Sequence, residues 1–190
     1  MTTVFRITDN IYRIKHYTGR PLRESLLSKY KLIDLDPDGT AALISETEDN
    51  TVTVGCGYTL NITLSSGIDG GFDIRIPLDS TDRLFGLGDE SRDCIEKRGK
   101  IAVIKQENVR SYGPVPYLMS SRGWAVLVNC TYAHTFDIAA SNPDELHIFG
   151  DKGALDLIVF TGKDLNDALF LSGKVMGRPV MLPKSAYGLT

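Results

Sequence analysis

The chain has 190 residues, enough for one sizeable domain with a real core, and its 42% hydrophobic and 24% charged residues exclude disordered, collagenous and coiled-coil classes. With 21 basic against 24 acidic residues the net charge is -3, so no global field draws the molecule to nucleic acid or anionic lipid. Apolar runs such as Ala125 to Val128 fall far short of the roughly 20 residues of a membrane span, and Met1 to Arg6 lacks a secretory signal pattern, so a cytoplasmic chain is expected.

Period-two alternation dominates the chain. Phe5 and Ile7, then Ile11 to His16, predict a first hairpin turning at Asp9-Asn10. Arg23 to Tyr30 reads as a short helix or an edge strand. Strands are predicted at Ala41 to Ile44, Thr51 to Cys56, Tyr58 to Leu64, Phe72 to Ile76 and Ile101 to Ile104. Others follow at Pro116 to Ser120, Trp124 to Asn129, Leu146 to Phe149 and Leu155 to Phe160. Tight reversals are expected at Gly67 to Gly71 and Ser121 to Gly123. Near the end, Leu165, Ala168, Leu169, Ser172, Val175 and Met176 fall at helical spacing behind an Asp164 N-cap, with Gly177 and Pro179 as the stop. Roughly ten strands and one C-terminal helix imply an all-β fold, an antiparallel sandwich or barrel.

Most chemical motifs fail on inspection. Cys56, Cys94 and Cys130 are odd in number and widely spaced, which argues against a disulfide framework and a zinc site. Asn61 and Asn129 open glycosylation tripeptides that have meaning only on a secreted chain. Asp34 to Gly39 begins like a calcium loop, but its twelfth position is Ser45. Gly86-Leu87-Gly88 lacks the third glycine of a dinucleotide loop, and no Gly-Lys pair precedes Ser or Thr. No metal or cofactor is expected. His16, His134 and His147 have no partner at ligand spacing and read as hydrogen-bonded strand residues. The carboxylates Asp89, Glu90, Asp93 and Glu96 are followed by Lys97, Arg98 and Lys100, which reads as a solvated mixed-charge loop. Trp124 reads as core rather than as a sugar platform.

Five segments then carry a resemblance. Leu84 to Glu90 with Lys97-Arg98-Gly99-Lys100 is similar to the "FGLGE … RGK" segment of glycoside hydrolase family 31. Pro114 to Asn129 resembles that family's "IPFLLSSRGYGVLLN", and Thr135-Phe136-Asp137 its following "FD". Gly153 to Gly162 resembles "GGLDYYFIYGP", and Gly177 to Gly188 resembles "TGRPPLPPKWALG". The likeness runs from Leu84 to Thr190, in the family's order.

This resemblance implies a β-sandwich of the galactose-mutarotase type that packs on the catalytic (β/α)8 barrel of a retaining α-glycosidase. Residues 1–176 would be the N-terminal sandwich with its closing helix, and 177–190 a linker and the start of the barrel. Retaining hydrolysis needs two carboxylates about 5–5.5 Å apart, which the family keeps in the barrel; its Trp-x-Asp-Met-Asn-Glu motif is absent from this sequence. The chain alone is therefore expected to be inactive, with no catalytic residue, its partners being its own barrel and an oligo- or disaccharide; homo-oligomerisation stays open. Where many members carry Trp-Asn-x-Asp after "RGK", this chain has Ile101 to Tyr112. Asn108, Arg110, Ser111 and Tyr112 are then the expected substrate-binding residues, because amide, guanidinium and hydroxyl groups bond sugar hydroxyls. The alternatives are a stand-alone carbohydrate-binding sandwich and a mutarotase-like epimerase. The epimerase would need a histidine and carboxylate pair in a cleft, and His134 and Asp137, three apart on one strand, point to opposite faces.

Overall fold

A computed structural model describes residues 1–16, 42–47 (backbone only), 50–55, 59–67, 70–90, 93–105, 113–178, 181–183 and 186. Thirteen strands and one helix occupy these residues: β1 (Thr2–Thr8), β2 (Ile11–His16), β3 (Ala42–Thr47), β4 (Thr51–Val54), β5 (Leu60–Ser66), β6 (Phe72–Pro77), β7 (Leu84–Gly88), β8 (Lys100–Ile104), β9 (Pro114–Ser120), β10 (Trp124–Val128), β11 (His134–Ile138), β12 (Glu145–Gly150), β13 (Leu155–Thr161) and α1 (Leu165–Met176). They form two antiparallel sheets packed face to face. The seven-stranded sheet has the order β3-β1-β2-β13-β10-β9-β7, and the six-stranded sheet the order β4-β5-β6-β12-β11-β8. The all-β sandwich expected from the sequence is thus the observed fold.

The core lies between the sheets, where Ile14, Trp124, Val126, Leu157 and Val159 meet Ile62, Phe72, Ile74, Phe136 and Ile148. The two sheets differ on their outer faces, and the sequence pattern records it. α1 covers the outer face of the seven-stranded sheet, seating Ala168, Leu171 and Val175 on Tyr117, Ala125, Leu127, Ile158 and Phe160. Its central strands β10 and β13 are therefore buried on both sides and read as unbroken apolar runs. Among the described residues no helix packs on the outer face of the six-stranded sheet. Its strands alternate, Thr51–Val54 exposing each threonine and burying each valine.

The Asp9-Asn10 turn, the reversal at Ser121 to Gly123 and the Asp164 cap all stand where the sequence places them. Asp164 accepts a hydrogen bond from Asp167 N at 2.9 Å. Gly123 has φ +92, and a Cβ there would lie 2.6 Å from Asp164 N, so glycine is required twice over.

Two strands escape the sequence reading. β7 carries two glycines, and its register shifts between Gly86 and Gly88 around Leu87, which holds φ +66. A bulge of this kind breaks the alternation that marks a strand. β11 is five residues long and carries a histidine and an aspartate, so its alternation of Thr135 and Asp137 outside with His134, Phe136 and Ile138 inside is short and polar. The Arg23 to Tyr30 segment and the calcium-like Asp34 to Gly39 run lie outside the described residues.

Candidate functional site

Two of the segments that carry the family resemblance, Leu84 to Glu90 and Lys97 to Lys100, meet at the edge strands β7 of one sheet and β8 of the other. After β7 the chain returns alongside it: Phe85 bridges Glu96, and Lys97 N donates to Leu84 O at 2.7 Å. Gly99 N then donates to Ile138 O at 2.6 Å, where the chain enters β8. Lys97 and Arg98 correct the expectation of a solvated charge run. Lys97 is 4% exposed, and its Nζ donates to the carbonyls of Glu90 and Cys94, each at 2.8 Å. Arg98 donates to the carbonyls of Asp79, Asp82 and Pro143 at 3.0, 3.0 and 2.6 Å. Backbone carbonyls fix both cations. The buried Asp82 completes this clamp by accepting from Asp79 N at 2.8 Å and from the Ser120 hydroxyl. Only Lys100, which pairs with exposed Asp93 at 3.0 Å, behaves as surface charge.

The same edge frames the expected substrate loop. Asp89 N donates to Gly113 O at 3.0 Å, and Gly113 N donates to Asp89 Oδ2 at 3.2 Å. One end of the 106–112 segment is tied down in this way, while Ile104, paired with His134, anchors the other. Asn108, Arg110, Ser111 and Tyr112 themselves lie outside the described residues.

Other residues weighed in the sequence take structural places. Trp124 is fully buried, and its Nε1 has no partner among the described residues. Asn129 is buried and donates to Asp156, so its glycosylation tripeptide is sequestered in the fold. His134 lies in the core between Phe72 and Phe136, with ring centroids 6.0 and 5.7 Å away, and burial lowers its pKa. Asp137, on the opposite face of the same strand, points outward as its spacing requires. Burial pushes the thiol pKa of Cys130 up. No group of three or more histidine, cysteine or acidic side chains suited to a metal occurs among the described residues.

One polar assembly went unrecognised in the sequence. On the outer face of the six-stranded sheet, Arg75 of β6, Glu145, His147 and Phe149 of β12, and Asp137 of β11 line an open depression of about 400 Å3, walled by Ser141 and Asn142, and Asp73 of β6 bonds both Arg75 and His147. Asp137 sits directly across from His147, and His147 from Arg75. Arg75 Nη1 donates to Glu145 Oε1 at 2.7 Å and Nε to Asp73 Oδ1 at 3.2 Å. His147 Nε2 donates to Asp73 Oδ2 at 2.7 Å, and its ring stacks on Phe149 with centroids 4.6 Å apart. Burial opposes ionisation of Asp137, but the Ser141 side chain, the amides of Ser141 and Ala140 and nearby His147 outweigh it and hold its pKa below the usual carboxylate value. The sequence signal was present only as outward positions two apart, Asp-x-Arg and Glu-x-His-x-Phe, on strands about 70 residues apart. Residues of a single strand do not reveal such a group, in which the histidine beside the carboxylates is His147 and not His134.

No family model matches the chain. An isomaltosyltransferase of Sporosarcina globispora is 29% identical over 171 residues, covering 84% of this chain and 15% of that protein. An α-xylosidase of Emericella nidulans is 23% identical over 144 residues, covering 72% of this chain and 18% of that protein. Among solved structures, the GH31 dextranase of Flavobacterium johnsoniae superposes with a TM-score of 0.70 at 15% identity, over 97% of this chain and 26% of that one. The chain thus spans less than a fifth of the length of either curated relative. Its relatives and fold neighbours are carbohydrate-active enzymes, family GH31 being that of the dextranase and of a soil-metagenome α-xylosidase, and this chain, an all-β sandwich, matches only a small part of each.

Proposed function

We propose that this chain is the non-catalytic N-terminal domain of a retaining α-glycosidase of the α-glucosidase or α-xylosidase type. In this reading residues 1–176 form the buttress, residues 177–190 lead into the catalytic barrel, and Asn108, Arg110, Ser111 and Tyr112 reach the sugar site. The observation that carries it is the asymmetry of coverage: most of this chain aligns with a small share of carbohydrate-active enzymes several times its length.

Physical chemistry supports the reading. A general acid for glycoside cleavage needs a carboxyl whose pKa is raised. In the outer depression Asp137 is held low, while Asp73 and Glu145 are engaged by Arg75. On the helix-covered side, α1 turns Leu169 and Phe170 outward at 56% and 52% exposure, and Met181 beyond it is 89% exposed. An apolar strip next to a linker suits packing against a further domain. Among the described residues no helix is long and apolar enough to cross a membrane, and a cytoplasmic location remains part of this proposal.

The test is turnover. The purified chain releases no sugar from aryl α-glucosides or α-xylosides. Hydrolysis that survives removal of contaminating glycosidases, and is lost when a carboxylate of this chain is replaced, overturns the reading. A second reading, a saccharide-binding sandwich, is favoured by one observation, the depression on the six-stranded sheet.

A further inference from the structure

We propose that the depression formed by Arg75, Asp137, Glu145, His147 and Phe149 is a binding site for a neutral saccharide, separate from the 106–112 loop. The inference goes beyond the role of a buttress and does not depend on a barrel being present, so a chain that proved not to belong to a glycosidase would leave its test unchanged.

Position comes first. The site stands on β6, β12 and β11, consecutive strands in the interior of the six-stranded sheet, on the face against which no helix packs among the described residues. Side chains rooted in paired strands are held more rigidly than those on loops, which lowers the ordering cost of binding. The register of β8 against β11 puts Asp137 opposite Ile101 and His134 opposite Ile104. The 106–112 segment leaves from the Ile104 end, so the depression lies towards the other end of β11.

The chemistry of the lining then selects the ligand. Two carboxylates, Asp137 and Glu145, line the site beside a single guanidinium that Asp73 also bonds, which makes the site unfavourable for phosphate or another anion. Arg75 bonds Asp73 and Glu145 directly, and no donor group suited to a metal occurs among the described residues. An apolar ligand would strand the whole network without water. Sugar hydroxyls, which donate and accept at once, suit it instead. Glu145 Oε1 is taken by Arg75, and Oε2 has no partner among the described residues. Asn142 accepts from Asp144 N through Oδ1 at 3.2 Å, while its amide NH2 stays uncommitted among the described residues. An acceptor and a donor thus stand ready at the rim for neighbouring hydroxyls. Beside them His147 and Phe149 stack on each other, inclined by 29° with centroids 4.6 Å apart, so one face of each ring is taken and the half-exposed remainder of the Phe149 ring is what the C–H face of a pyranose would meet. The volume of about 400 Å3 falls within the range of small-ligand pockets. The depression is open, so binding is expected to be weak, with a Kd on the order of 1 mM.

The test is titration of the isotopically labelled 190-residue chain, followed by amide chemical shifts, with glucose, xylose, maltotriose and isomaltotriose up to roughly 50 mM, and with inorganic phosphate as a separate arm. The expected result is saturable shifts for at least one saccharide, confined to residues 73–75 and 137–149, and none for phosphate. Glu145→Gln and Asn142→Ala, both at the surface, are expected to keep the folded spectrum and weaken the affinity by about tenfold. The proposal is overturned if no saccharide gives saturable shifts, if they fall elsewhere, if phosphate gives them instead, or if both variants bind as the unaltered chain does.

Discussion

Arg13 and Asp156 form the most deeply buried ion pair of the described residues, two parallel contacts of 2.7 Å with Asp156 fully enclosed and Asn129 as a further donor. Their strands are paired in register on the face of the seven-stranded sheet turned away from the core. Removing one member leaves a buried charge without its counter-ion, whereas replacing both with apolar groups removes the problem. Asp156→Ala is therefore expected to cost about 3–5 kcal/mol in urea denaturation, and the double change Arg13→Met with Asp156→Leu distinctly less. His134 supplies a pH signature. Its Nδ1 donates to Tyr132 O at 2.8 Å, so protonation must occur at Nε2, which has no partner among the described residues. With its folded-state pKa below the unfolded value of about 6.5, the unfolded chain takes up more protons at lower pH. Stability is thus complete above about pH 6.5 and declines as pH falls through that value towards the folded pKa. Burial also lowers the pKa of His16, so His134→Leu should flatten most of this slope but not all of it. An unchanged slope in that variant contradicts the assignment.

At the scale of elements, α1 shows how far local signals reach. Its cap, its apolar stripe and its glycine stop were all legible, because each depends on residues within a few positions of one another. Asp164→Ala is expected to cost about 1 kcal/mol, read as a lowered denaturation midpoint, with the Asp167 amide losing its acceptor. β7 was not legible for the opposite reason: its bulge at Leu87 and its close approach to Tyr117 O at Gly86 are dictated by β9, about thirty residues later in the chain. The roles of Lys97 and Arg98 were hidden likewise. A mixed-charge run looks solvated until the carbonyls of Asp79, Asp82, Glu90 and Pro143 are brought around it.

For the whole molecule, strand count and turn spacing reached an antiparallel sandwich or barrel and the family resemblance chose the sandwich, but the depression could not be read at all. It exists only because β6 and β12 pair in one register, bringing Arg75 beside His147. The polar depression on the six-stranded sheet and the exposed Leu169 and Phe170 of α1 give the domain two surfaces of different character, the first proposed to take a saccharide and the second a further domain. The central claim is that this sandwich serves a catalytic barrel carried by the same polypeptide. Sequencing the gene through and beyond the codon for Thr190 tests it most directly. The account predicts a continuous reading frame whose product alternates strands and helices as a (β/α)8 barrel and supplies the two carboxylates of a retaining glycosidase. A frame that closes without encoding such a barrel would contradict it.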